Sequence, residues 1–84
     1  MKIEAIVLDE PWLKIKEQVQ SIEGNEHEVT DSDVLNHALS LFAWSLEKIN
    51  EGRVIASVEE ASMKYTEVQM PIFEKLIFQK NMRN

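Results

Sequence analysis

The chain contains no cysteine, so disulfide bonds and thiolate zinc sites are excluded. It has only two glycines, Gly24 and Gly52, too few for a glycine-rich phosphate loop, and each stands where a helix is expected to stop. Long hydrophobic runs are also missing, and the apolar stretches fall far short of the ~18 residues that a membrane span needs. Met1-Lys2 leads into Ile3-Glu4-Ala5-Ile6-Val7-Leu8, but Glu4 and Asp9 interrupt what a secretory leader would keep apolar. The expectation is a cytoplasmic protein with no membrane association. Positive charge is scarce as well: nine Lys and Arg stand against 15 Asp and Glu, for a net charge of −6. That balance favours solubility and repels polyanions at long range, leaving only a local basic patch for any contact with nucleic acid. The balance shifts along the chain. Residues 1–29 hold three lysines against seven acids, whereas residues 53–84 hold five bases against four acids.

Eighty-four residues make one small domain, 1–84. A chain of about this size buries only roughly 60% of the surface that its unfolded state exposes. Small scaffolds make up the shortfall with disulfides, a metal or a partner subunit, and here association is the remaining source. Catalysis has little to work with. Fifteen acids in 84 residues make accidental carboxylate pairs easy, and no serine or threonine sits in a nucleophile elbow. The sequence therefore reads as a non-enzyme with no cofactor.

Lys2 to Leu8 is β-branched and apolar, which predicts a short strand. Asp9-Glu10-Pro11 then opens a helix, with Asp9 as cap and Glu10 and Pro11 in the first turn. Trp12, Ile15, Val19 and Ile22 recur at helical spacing as its apolar face, and Gly24 ends it. After a polar connection at 25–29, Thr30 followed three residues later by Asp33 is a capping-box variant. A helix of about 30 Å, between about Asp31 and Glu51, follows from it and stops at Gly52. Its apolar residues, Val34, Leu35, Ala38, Leu39, Leu41, Phe42, Leu46 and Ile49, span more than one stripe. A helix apolar over so wide an arc needs cover on more than one side, and in so short a chain a second copy is the expected source. Arg53–Val58 and Met63–Met70 read as a hairpin turning at Glu59–Ser62, and Pro71 opens a last short helix, with Gln79–Asn84 expected to fray.

This order resembles the ribbon-helix-helix family of small dimeric DNA-binding proteins. Thr30-Asp31-Ser32-Asp33-Val34-Leu35, then Ala38-Leu39, then Leu41-Phe42-Ala43-Trp44 carry the likeness. Glu51-Gly52-Arg53-Val54-Ile55-Ala56-Ser57-Val58-Glu59 and Tyr65-Thr66-Glu67-Val68-Gln69-Met70-Pro71 resemble an extension found in one bacterial subset. The likeness covers roughly residues 1–71. It implies an α+β fold, an intertwined homodimer with a ribbon-helix-helix core at 1–52 and a β-hairpin at 53–70, to which the residue pattern adds a short helix and frayed tail at 71–84. The paired first strands would enter the major groove of duplex DNA. Carried over by position, Lys2, Glu4 and Ile6 would face the bases, while Thr30 and Ser32 would meet a phosphate. The dimer interface would take Ile3, Ala5, Val7, Leu35, Ala38, Leu39, Phe42, Trp44 and Leu46. In the opposite ribbon register, Ile3, Ala5, Val7 and Asp9 would face outward.

The implied role is transcriptional regulation. A competing reading keeps the dimer but not the DNA: a protein-interaction module, antitoxin-like or an accessory subunit. Met70, Ile72, Phe73, Leu76, Ile77, Phe78 and Met82 make the tail denser in apolar groups than an exposed segment should be. It reads either as a segment docked on its own dimer or as a site for a protein partner at 70–82. Trp12 falls in register with the first helix's apolar face and reads as a packing residue, whereas Trp44 fits its helix's arc less well and suits an interface. His27 and His37 read as an exposed loop histidine and a polar-face histidine, with no metal.

Overall fold

The computed structural model describes residues 7–82. The protein is a small α+β chain with three helices and a two-stranded antiparallel sheet among those residues. Helix α1 spans Asp9–Glu23, α2 Asp31–Asn50, strand β1 Ala56–Glu59, β2 Lys64–Glu67, and helix α3 Pro71–Met82. The expected first strand lies outside the described residues apart from Val7 and Leu8, neither of which is in regular structure. Lys2, Ile3, Glu4, Ala5 and Ile6 fall outside them too. The chain divides into two compact units, Met1–Leu39 and Ser40–Asn84.

In the first unit, α1 starts one residue earlier than its acidic cap signal suggested. Leu8, not Asp9, is the N-cap, with extended backbone and no side-chain cap bond, and its carbonyl accepts from Trp12 N–H at 3.3 Å. Asp9 and Glu10 lie in the first turn, where carboxylates meet the positive end of the helix. Gly24 closes α1 at φ 78° and ψ −152°, a region that only glycine occupies without strain, and its N–H bonds Gln20 O at 2.9 Å. The expected apolar face splits. Trp12 and Val19 are half-buried, whereas Ile15 and Ile22 are exposed, and α1 buries no side chain completely. Val29 and Val34 form this unit's small core.

The second unit begins inside α2. A pair of bonds ends that helix, Arg53 N–H to Lys48 O and Gly52 N–H to Ile49 O, each 3.0 Å. This is the Schellman arrangement, and Gly52 supplies the positive φ (89°) that it requires. Strands β1 and β2 pair from Ala56↔Glu67 to Glu59↔Lys64, and one more bond, Val68 N–H to Ile55 O at 2.7 Å, extends the ladder. The strands are shorter than the sequence suggested, and the turn falls at 60–63 rather than 59–62. Met63 is the reason: it sits in the turn at φ 55°, so it cannot start a strand. Helix α3 continues to Met82, past Gln79 where fraying was expected, because Lys80 reaches back to donate its ammonium to Asn50 O at the negative end of α2. Phe73 is buried and stacks on Phe42 with ring centroids 6.4 Å apart. Ser45, also buried, satisfies its hydroxyl on Leu41 O at 2.8 Å.

Candidate functional site

The beginning of α2 is where the ribbon-helix-helix resemblance implies a phosphate contact, and there the local chemistry is well defined. Thr30 N–H donates to Asp33 Oδ2 at 2.9 Å, and Asp33 N–H donates to Thr30 Oγ1 at 3.2 Å. The capping box forms reciprocally, satisfying two backbone donors of the chain's strongest start signal. His27 Nε2 lies 2.9 Å from the same Asp33 oxygen, and since an ionised carboxylate only accepts, the imidazole donates. Together the Thr30 backbone N–H, the His27 ring and the Thr30 hydroxyl hold the Asp33 carboxyl down to about 2 from its ordinary 3.8.

One residue into α2, the Asp31 carboxylate is met from α1. Trp12 Nε1–H donates to Asp31 Oδ1 at 2.9 Å, and Lys16 Nζ lies 3.1 Å from the same oxygen. The Trp12 bond and then the Lys16 ammonium lower the Asp31 pKa. The Asp31 charge beside the expected phosphate position is therefore partly countered within the unit. Trp12, assigned a packing role from its spacing, also uses its N–H to join α1 to the start of α2.

The connection between those helices is organised by a residue that stands in no sequence motif. Gln20 Nε2 donates to Gly24 O and His27 O, and Gln20 Oε1 accepts from Val29 N–H, all at 2.8 Å. One side chain thus ties both ends of the 24–29 connection to α1. A helical glutamine one turn before a glycine is the only sequence signal for this, and it is a common one. Thr30 and Ser32 are both exposed at the head of α2.

Of the residues expected at a dimer interface, Leu35 and Leu46 are half-buried, while Ala38, Leu39, Phe42 and Trp44 are exposed in the single chain. Val7 is exposed as well. Among the described residues, the second unit exposes more large apolar side chains than the first. Thirteen large apolar side chains there are at least 38% exposed, among them Val58, Tyr65, Phe78 and Met82. In the tail segment, Phe73 is buried against Phe42, while Phe78 and Met82 are exposed.

Among the described residues, no group of three or more His, Cys, Asp or Glu side chains is placed to hold a metal ion, and His27 is spoken for by Asp33. No described helix is long and apolar enough to cross a membrane. No family model matches the chain, and neither a curated protein nor a solved structure compared with it gives a match.

Proposed function

We propose that this chain is the subunit of a ribbon-helix-helix-like homodimer that regulates transcription by binding duplex DNA. The observation that carries the dimer is α1: fifteen residues long, with Leu13, Ile15 and Ile22 exposed and no side chain fully buried. A helix with apolar groups on so many sides gains its stability from a second surface, and another copy supplies one. Support for DNA comes from the family resemblance and from the head of α2. There an ordered helix start presents Thr30 and Ser32 to solvent, with Asp31 countered by Lys16. The ribbon strands would read the major groove, and the reading requires no catalysis and no cofactor.

A second reading, a dimeric protein-interaction module, is favoured by charge. Residues 1–39, which would face the DNA, carry nine acids and three bases. A gel shift with random duplex DNA across a salt series separates the two. Backbone contacts give every DNA-binding protein some non-specific affinity that falls as salt rises. A salt-dependent shift is the expected result; no shift even at about 20 mM salt would select the interaction module.

A further inference from the structure

The chain's charge is divided as unevenly as its apolar surface. Residues 1–39 hold nine acids and three bases, which accounts for the whole net charge of −6. Residues 40–84 hold six acids and six bases, and are neutral. The neutral unit is also the one with thirteen large, partly exposed apolar side chains, against six in the acidic unit, among the described residues. Two copies brought together through their acidic units face mutual repulsion between like-charged surfaces. Two copies brought together through their neutral units do not.

We infer that the second unit carries a self-association surface of its own, occupied by a second copy of this chain and centred on the outward face of α3. Helix α3 is apolar on two sides. Phe73 is 5% exposed, and Leu76 and Lys80, three and seven residues on, share its covered face. Phe78 and Met82 lie about 140° and 180° round the helix from Phe73. They are 65% and 71% exposed. The surface beside Phe78 is shallow and is formed by Pro71, Glu74, Lys75, Phe78 and Gln79. One acid and one base flank the apolar centre, so it carries no net charge to oppose a copy of itself. Val58 and Tyr65, paired across the hairpin and therefore on one face of it, add a second exposed apolar patch.

Within one copy little is covered: among the described residues, Val29, Val34, Ile49 and Phe73 are the buried apolar side chains, and a scaffold this small commonly makes up the shortfall by association. A two-stranded hairpin is itself marginal in water unless something packs on it, and a second copy provides that packing. The inference shares with the proposed function only the expectation of two copies, and it requires neither the ribbon nor DNA.

Sedimentation equilibrium of the full chain and of Phe78→Glu tests it. The exposed position tolerates the change within one copy, as far-UV circular dichroism will register, while two glutamates brought into one apolar contact oppose association. We expect self-association of the wild type and at least a tenfold weakening of one association step in Phe78→Glu. The absence of native cysteine allows a second measurement: a Phe78→Cys chain should form an intermolecular disulfide under mild oxidation, at a rate well above that of a Gln18→Cys control on α1. Unaltered association of Phe78→Glu would overturn the inference and leave the ribbon-type dimer standing. A wild-type chain that stays monomeric at about 100 μM would overturn both.

Discussion

Replacing Gln20 with alanine should open the connection between α1 and α2. Gln20 makes three hydrogen bonds at 2.8 Å, to Gly24 O, His27 O and Val29 N–H. The two carbonyls are exposed, so water replaces the lost donors at a cost of about 0.5 kcal/mol or less each. The Val29 N–H is different, because that bond is partly buried and Val29 is one of the few buried residues of its unit. Leaving it without an acceptor costs about 1–3 kcal/mol. Alanine returns a few tenths through its better helix propensity. The expected net loss is about 2 kcal/mol, a fall in Tm of roughly 8–16 °C for a domain of this size. Thermal melts at fixed protein concentration would measure it, since association shifts apparent stability. Amide hydrogen exchange gives the local readout, with faster exchange at Val29 expected in the variant. A Tm within about 2 °C of wild type, together with unchanged protection at Val29, would refute the idea that this side chain holds the connection.

Gly24→Ala should cost about 1–3 kcal/mol for a conformational reason alone. A Cβ there meets no heavy atom within 4 Å, but φ is 78°. Urea denaturation would show it as a lower midpoint with an unchanged slope; a midpoint equal to wild type would mean the helix can end another way. Asp33 sets a pH dependence. Its carboxyl is held at about 2 in the fold against an ordinary 3.8, so its contribution is complete above about pH 5 and drains away as the pH falls through the folded value. Acid unfolding followed by circular dichroism should therefore be shallower between pH 5 and 2, the same window to within about a unit, in Asp33→Asn than in wild type. Identical acid profiles would exclude Asp33 as a contributor.

Much of the helical layout was legible because its signals are local. Pro71 at a first turn, Gly24 and Gly52 at positive φ, and the Thr30–Asp33 box each act within a few residues of themselves. Periodicity alone was less reliable in assigning burial. Trp12, Ile15, Val19 and Ile22 share a face by spacing, yet only Trp12 and Val19 gain cover, because a spacing rule says which residues align and not what lies opposite. The hairpin was found but misregistered. β-propensity gave no hint that Met63 would take a positive φ, and the strand edges moved with it. Gln20 and Lys80 were missed for a related reason. Their partners are the loop carbonyls of Gly24 and His27 and the carbonyl of Asn50, and a backbone carbonyl leaves no mark in a sequence.

The contrast between the two units bears on which reading of function survives. An interface built from the acidic unit must bring nine acids and three bases of one copy against the same set of another, or against a phosphate backbone. Within the unit, Lys16 and His27 already answer Asp31 and Asp33, so two of its few cationic or protonatable groups are committed to local pairs. DNA affinity would then rest on Lys2 and Lys14 and on backbone N–H groups at the head of α2, a small electrostatic contribution that predicts a shallow salt slope. The neutral unit meets no such opposition and, among the described residues, exposes more large apolar side chains, so self-association through it is the less demanding arrangement. If both units engage second copies, the chain assembles beyond a dimer, and Phe78→Glu should then convert the larger species to a dimer rather than to a monomer.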